Sequence, residues 1–226
     1  MSRPVLIFDL DGTLVDTAPD LLNSLNVVLQ EEGLPVFALE GINRLVGQGV
    51  RVMLQKGFKE AGQTLEGDHL EKLFTRYIEH YAANIAVESR PFPGVEAALD
   101  RFADAGWSLA VCTNKLEGLA RDLLGQLDMT NRFAAIIGGD TFERSKPDAM
   151  PILGAIERSG GVASGSVMVG DSITDINAAR AAAIPVVAVD FGYTPVPVTE
   201  LGPDRVISHF DALWQAVEEV GKPATA

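Results

Sequence analysis

The sequence predicts an α/β protein: a doubly wound parallel sheet of Rossmann-like type with an inserted all-helical domain. Three observations predict this. Four apolar residues at Val5–Phe8 are typical of a strand that helices cover on both faces. From Pro93 onward, apolar strands alternate with single helices, which is the pattern of parallel βα units. Between Asp16 and Pro91 the spacing is helical without a convincing strand, which predicts the insertion.

The insertion is expected to contain three helices, at residues 18–31, 48–61 and 66–84. Pro19 near the start and Gly33 just past the end delimit the first of them. The later elements are expected in the order helix 95–105, strand 108–112, helix 116–127, strand 133–137, helix 148–159, strand 166–169, helix 174–183, strand 185–189, edge strand 205–207 and a helix near 210–220. We therefore divide the chain into a core, residues 1–16 and 92–226, and a helical domain, residues 17–91.

The composition limits the classes of partner. A formal net charge of −13 leaves no basic face for nucleic acid or an anionic membrane, so we expect neither partner. No apolar run approaches the ~20 residues that span a membrane. The single cysteine, Cys112, excludes an internal disulfide and suits the cytoplasm, where we expect the protein to act as a monomer or homodimer. We interpret Cys112 as a packing residue.

Two carboxylates follow the first strand. Because side chains alternate along an extended chain, Asp9 and Asp11 should project to the same side, at the end of the strand where open α/β sheets bind ligands. Two like charges this close repel, and a hard cation such as Mg²⁺ would hold them together. Gly12 then lets the backbone turn sharply. By itself, Asp-Gly fits equally an ordinary turn with two solvated acids.

Polar residues recur at other predicted strand ends and before helices: Thr113 with Asn114, Lys146, and Asp171 with Asp175 one turn on. Singly, each fits a helix cap or a surface side chain. In a doubly wound sheet, however, these strand ends converge on one crevice. Carboxylates, an ammonium group and short hydrogen-bonding side chains together suit phosphoryl transfer, because a metal and a lysine can neutralise a phosphate ester.

These residues lie in four segments that resemble the ordered motifs of the haloacid dehalogenase superfamily: Asp9–Thr17, Thr113–Asn114, Lys146–Pro147 and Gly170–Asp175. The helical insertion resembles the cap domain between the first two motifs in one subgroup. Within that subgroup the chain is most similar to the bacterial phosphoglycolate phosphatases, including the cap segment Leu45–Val50. The resemblance implies a phosphoric monoester hydrolase that converts 2-phosphoglycolate to glycolate and phosphate, with Mg²⁺ as cofactor.

The resemblance also implies a role for each motif residue. Asp9 would attack phosphorus to form an aspartyl phosphate, and Asp11 would protonate the leaving alcohol and then activate water. The groups implied to hold the transferring phosphoryl group are Gly12, Thr113, Asn114 and Lys146. Mg²⁺ would be held by Asp9, the backbone carbonyl of Asp11 and Asp171. Asp175 would support these ligands from behind.

In the insertion, Gly47, Gly49 and Arg51 are the candidates for substrate selection. The glycines would let backbone N–H groups approach the carboxylate of phosphoglycolate, and the N-terminus of the following helix favours negative charge. The alternative is that the glycines only shape a turn and that Arg51 is solvated.

Three other activities are alternatives to hydrolysis. A sugar phosphomutase similar to β-phosphoglucomutase would share the core, but its cap arginine aligns here with Val50, and Arg51 is one place along. A dehalogenase needs neither Mg²⁺ nor a second acid at the position of Asp11. A phosphoaspartate signalling module is about half this length and carries its phosphorylated residue on a later strand than Asp9.

Overall fold

The computed structural model describes residues 3–39, 45–46 and 49–221. Within them, the core is a parallel sheet in the order β5-β4-β1-β6-β7-β8. Its strands are β1 (Val5–Phe8), β4 (Ser108–Cys112), β5 (Ala135–Ile137), β6 (Val167–Gly170), β7 (Val186–Val189) and β8 (Arg205–Ile207). Because β1 lies between β4 and β6, the chain crosses in opposite directions on either side of it, as the predicted doubly wound sheet requires.

Helices cover both faces of this sheet. They are α4 (Val95–Asp104), α5 (Glu117–Gln126), α6 (Met150–Arg158), α7 (Ile173–Ala181) and α8 (Leu213–Val220). Three further helices, α1 (Ala18–Glu31), α2 (Val50–Glu60) and α3 (Gly67–Ala83), belong to the insertion. On β1, Val5 and Ile7 belong to the apolar cluster that contains α6 and α7. The alternate residues Leu6 and Phe8 belong to the cluster on the other face, with α4, α5 and α8. Strand β1 is therefore buried on both sides, as its unbroken apolar sequence predicts.

The insertion leaves the core directly after β1 and returns before α4. Two short strands, β2 (Val15–Asp16) and β3 (Arg90–Pro91), pair antiparallel where the chain leaves and returns. We expected no strand in this interval, because a two-residue strand gives no detectable alternation. Helices α1, α2 and α3 lie between the two strands and pack on one another. The described residues include no helix long and apolar enough to cross a membrane.

Most element boundaries agree with the predictions to within one or two residues, and α1 agrees at both ends. The strand predicted to start at Phe133 begins instead at Ala135, because a short 3₁₀ turn at Thr130–Arg132 ends against Phe133. The helix predicted near 210–220 is divided into a 3₁₀ turn at Phe210–Ala212 and α8.

Candidate active site

The site begins with a tight loop after β1. The backbone N–H of Asp9 donates to the carbonyl of Val169 on β6 (2.9 Å), which continues the sheet pairing up to this carboxylate. Gly12 has a φ of +80°, and a Cβ there would lie 2.8 Å from Oδ2 of Asp171. A side chain at position 12 would therefore meet both backbone strain and a carboxylate, so the turn requires glycine. This is the sharp turn that the sequence predicts.

Lys146 is the cation that the sequence places beside Asp9. Its side chain is only 1% exposed, and its Nζ lies 3.1 Å from Oδ1 of Asp9 and 2.6 Å from Oδ1 of Asp175. Burial by itself would lower the pKa of Lys146, but the charges of Asp175 and Asp9 outweigh it and raise that pKa above its ordinary value. Lys146 therefore stays a cation next to the predicted nucleophile.

Asp9, Asp171 and Asp175 form a compact acidic cluster, in which one carboxylate oxygen of each lies within 4.8 Å of the others. Asp171 accepts hydrogen bonds from the hydroxyl of Thr13 (3.1 Å) and the backbone N–H of Tyr193 (2.7 Å). Burial raises the pKa of Asp9 to about 7 and that of Asp171 well above its usual range, because neighbouring carboxylates reinforce the loss of solvent.

Asp175 is held differently from the other two acids. Its Oδ1 accepts from Lys146, and its Oδ2 accepts from the hydroxyl of Ser172 (2.7 Å) and from the backbone N–H groups of Ser172 and Asp171 (3.1 and 3.2 Å). The bond from the backbone N–H of Ser172 is one half of a capping box at the start of α7. Since both oxygens of Asp175 are engaged, it is suited to orienting its neighbours. Its role in supporting metal ligands stays a prediction.

Asp11 forms a separate ion pair, with Lys115. Its Oδ1 accepts from the hydroxyl of Thr17 and from Nζ of Lys115, each at 2.7 Å. None of the described residues donates a hydrogen bond to its Oδ2, and Asp11 lines the cleft described below. One oxygen of Asp11 is thus anchored while the other is available to a bound molecule. Asp9 and Asp11 are therefore distinguished by their partners, Lys146 for the first and Lys115 for the second.

The loop after β4 contributes two further predicted residues. Thr113 is 3% exposed and lines the cleft, and its Oγ accepts from the backbone N–H of Lys115 (3.2 Å), which leaves its own proton free to donate. Asn114 donates its side-chain amide to the backbone carbonyl of Lys146 (3.0 Å). In this arrangement Asn114 braces the loop that carries Lys146. Its direct contact with a phosphoryl group stays a prediction.

Core and insertion enclose one cleft of about 350 Å³. Its polar floor is formed by Asp9, Asp11, Thr113, Asn114, Lys115, Asp171 and Ser172. The side formed by the insertion is largely apolar, and the residues there are Leu21, Val46, Val50, Met53, Phe74, Ile78 and Tyr81. Polar strand ends facing an apolar roof are the usual composition of a small-molecule site in an open α/β sheet.

The residues predicted to select the substrate differ in whether they are free to contact a molecule in the cleft. Gly49 has a φ of +86°, precedes α2 and lines the cleft. Arg51 also lines the cleft, but its guanidinium is bidentate to Glu71 (2.9 and 2.8 Å) and stacks 3.7 Å above the ring of Phe74. Gly47 lies outside the described residues.

Several residues of the site were missed by the sequence reasoning. Lys115, 5% exposed on its side chain, follows Thr113 and Asn114 directly, so extending the strand-end argument by one residue would have found it. Tyr193 comes from the loop after β7, and Tyr81 from helix α3 of the insertion. Their positions in the sequence do not predict that they line the cleft, because only the tertiary fold brings them there.

The donor set fits a divalent cation. Four carboxylates, Asp9, Asp11, Asp171 and Asp175, face two ammonium groups, Lys115 and Lys146, which leaves an excess of two negative charges. All of the oxygen donors are hard ligands of the type that Mg²⁺ prefers. Burial, reinforced by the neighbouring carboxylates, raises the pKa values of Asp9 and Asp171, and a bound cation would favour their ionised forms.

Comparisons with known proteins agree with this geometry. A family model described as haloacid dehalogenase-like hydrolase matches residues 6–189. A phosphoglycolate phosphatase of Agrobacterium fabrum is 52% identical over 225 residues, which cover 99% of this chain and 97% of the relative. A phosphoglycolate phosphatase of Mesorhizobium japonicum is 50% identical over 219 residues, covering 97% and 96%.

Solved structures show the same fold. The crystal structure of a predicted phosphoglycolate phosphatase from Haemophilus somnus 129PT superposes with a TM-score of 0.87 at 29% identity, and the match covers 95% of this chain and 98% of that one. The resemblance inferred from the four motifs is therefore confirmed by sequence and by fold. The chain belongs to the haloacid dehalogenase-like hydrolase family.

Proposed function

We propose that the chain is a Mg²⁺-dependent phosphatase of small phosphate monoesters, and that it converts 2-phosphoglycolate to glycolate and phosphate. The observation that carries the proposal is the position of Asp9, at the end of the central strand between Lys146 and the acidic cluster. A carboxylate can attack a phosphate dianion only where cations offset their repulsion. The names of the relatives support the choice of substrate.

In the first half of the proposed reaction, an oxygen of Asp9 forms a bond to phosphorus while the bond from phosphorus to the ester oxygen breaks. The leaving alkoxide takes a proton from Asp11, whose free oxygen faces the cleft. In the second half, Asp11 accepts a proton from water, the water oxygen attacks phosphorus, and the bond to Asp9 breaks. Inorganic phosphate then leaves, and Asp9 and Asp11 return to their starting states.

The surrounding residues hold the groups that react. The hydroxyl of Thr113 is placed to donate to an oxygen of the phosphoryl group, and Lys146 offsets the charge on that group and on Asp9. Mg²⁺, held by Asp9, the backbone carbonyl of Asp11 and Asp171, would supply the remaining positive charge. Asp175 keeps Lys146 oriented toward Asp9.

We further propose that residues 1–16 and 92–226 act as a catalytic core and residues 17–91 as a cap that opens and closes. The two connections pair as β2 and β3, so a change of backbone angle near Thr17 and Ser89 can move the helices without disturbing the sheet. Closure excludes water during attack by Asp9, and opening readmits water and releases product.

Hydrolysis is a better fit than mutase chemistry. A mutase needs a cation on the cap to hold a second phosphate. Val50 is apolar, and in the described part of the insertion the cleft is lined by one cation, Arg51, which Glu71 already engages.

A panel of phosphate monoesters tests the proposal. We expect the highest kcat/KM for 2-phosphoglycolate among esters that include ethyl phosphate, 4-nitrophenyl phosphate and a hexose phosphate. Activity should disappear with EDTA and return with added Mg²⁺. Equal activity in EDTA would overturn the metal dependence, and a clear preference for the hexose phosphate would overturn the substrate.

A further inference from the structure

The hydroxyl of Tyr81 has no role in the site as described so far. Tyr81 lies near the end of α3, is 1% exposed and lines the cleft. Its hydroxyl finds no hydrogen-bond partner among the residues that the structure describes. Tyr77, one turn earlier on the same helix and equally buried, does donate its hydroxyl to the backbone carbonyl of Leu21 (3.2 Å). A buried hydroxyl without a partner is unfavourable, which points to a ligand that accepts its proton.

Lys115 faces Tyr81 from the core. Its Nζ lies 4.6 Å from the centre of the Tyr81 ring, so the ring fixes the position of the ammonium group by a cation–π contact. A lysine has three protons to donate. The contacts of the described residues account for one hydrogen bond, to Oδ1 of Asp11. Lys115 therefore retains donors beside the ring that carries an unpartnered hydroxyl, and both side chains line the same cleft.

We infer that Lys115 and Tyr81 together form the subsite for the carboxylate of the substrate. This inference rests on the proposed function and specifies how it selects its substrate. Lys115 is bonded to Asp11, the residue that protonates the leaving group, so an anion held by Lys115 lies on the leaving-group side of phosphorus. A carboxylate one carbon away from the ester oxygen has two oxygens, one for the ammonium group and one for the hydroxyl.

Arg51 is the alternative candidate for binding the carboxylate, but its contacts argue against this role. Both of its described hydrogen bonds go to Glu71, and its plane is stacked on Phe74. Binding a substrate carboxylate would require it to release Glu71. Lys115 and Tyr81 need no such exchange. Since one comes from the core and the other from the insertion, they also make recognition depend on the insertion lying against the core.

The decisive variant is Tyr81→Phe, which removes one oxygen and keeps the ring beneath Lys115. We expect kcat/KM for 2-phosphoglycolate to fall about 10-fold or more, because a hydrogen bond to a charged group is lost. For ethyl phosphate, which has no carboxylate, the change should stay below about 3-fold. Tyr77→Phe is the matched control, with the same chemical change on the same helix, and should leave the ratio of the two kcat/KM values unchanged.

Lys115→Met should lower activity on both esters, because Asp11 loses its partner, but the loss should be about 10-fold greater for 2-phosphoglycolate. If Tyr81→Phe leaves the preference intact while Arg51→Gln abolishes it, the inference is wrong and Arg51 reads the carboxylate. If the wild-type enzyme hydrolyses other esters and shows no preference for 2-phosphoglycolate, the proposed substrate fails instead. The two failures are thus distinguishable.

Stability provides a second test that does not depend on turnover. Without substrate, Tyr81→Phe should leave the melting temperature unchanged or raise it, because the lost hydroxyl makes no hydrogen bond to any residue that the structure describes. Tyr77→Phe should lower it, because its bond to Leu21 is removed. A drop in melting temperature for Tyr81→Phe as large as that for Tyr77→Phe would show that the hydroxyl is satisfied within the protein, and would overturn the inference.

Discussion

The cleft has two walls, a core wall and an insertion wall, and they differ in how their polar groups are paired. On the core wall, most charged groups are paired with one another, Lys146 with Asp9 and Asp175 and Lys115 with Asp11, and the remaining carboxylate, Asp171, accepts hydrogen bonds from Thr13 and Tyr193. On the insertion wall, the side chains are mostly apolar, and the hydroxyl of Tyr81 is unsatisfied among the described residues. A wall whose charged groups are already held by partners is organised for a reaction, whereas an unsatisfied hydroxyl on the other wall gains a partner only from a ligand.

The largest effect should come from the core wall, at the nucleophile. Asp9→Asn should reduce kcat by about 10⁴-fold or more for every phosphate ester, because an amide is a poor nucleophile. Steady-state kinetics measure the loss, and circular dichroism checks that the variant is folded. Retention of wild-type turnover, with deamidation excluded by mass spectrometry, would contradict the role of Asp9.

The next largest effect should come from the loss of proton transfer by Asp11. Asp11→Asn should lower kcat by about 10²–10⁴-fold for an alkyl phosphate such as 2-phosphoglycolate, the usual contribution of a general acid or base. For the first chemical step of 4-nitrophenyl phosphate the loss should be far smaller, because nitrophenolate leaves without a proton. A rapid-quench comparison of the two esters measures this. Equal losses in that step would mean that Asp11 has another function.

The two ends of the insertion, which are held together next to the core, should show a smaller effect, on stability. Asp20, 1% exposed in the first turn of α1, accepts from the backbone N–H groups of Glu88 and Ser89 and from the hydroxyl of Ser89 (2.7–3.1 Å). Asp20→Asn replaces one acceptor oxygen by a donor, which should cost about 1–3 kcal/mol of unfolding free energy. Denaturant titration measures it. The control is Asp68→Asn, an exposed acid in the first turn of α3, which should change stability little.

The last prediction concerns the interior of the core and involves neither activity nor stability. Cys112 is fully buried on β4, and burial raises the pKa of its thiol to about 12. Compared with an ordinary thiol, the fraction of thiolate at pH 8 is about 10³-fold lower, so a thiol reagent should react far more slowly with the native protein than with the urea-unfolded chain. Rapid labelling of the native protein would show that the strand opens or that Cys112 is reactive.

Much of the core wall could be predicted from the sequence. Residues such as Asp9, Thr113 and Asp171 follow apolar strands directly, and parallel strands bring their carboxyl ends to one edge of the sheet. Periodicity also located α1, α2 and α3. Hydrophobic periodicity does not predict which residue each charged group pairs with. Lys115 looks like any surface lysine until the fold sets it 2.7 Å from Asp11.

The insertion wall was harder to predict, because its function depends on packing between elements far apart in sequence. The glycines and Arg51 stand out in the sequence, yet Arg51 is engaged by Glu71. Tyr81 resembles one more core aromatic of an amphipathic helix. The contrast with Tyr77, which has a hydrogen-bond partner among the described residues where the Tyr81 hydroxyl has none, distinguishes it.

The central claim is that Asp9 is phosphorylated during turnover, and trapping that intermediate tests it most directly. The Asp11→Asn variant, mixed with Mg²⁺ and 4-nitrophenyl phosphate, should release nitrophenol in a burst equal to the enzyme and then stall, since water is no longer activated. Borohydride reduction of the quenched protein should convert residue 9 to homoserine, as read by peptide mass spectrometry, whereas the Asp9→Asn protein should show neither burst nor product. A stoichiometric burst with residue 9 unmodified, or with the modification at another residue, would contradict the account.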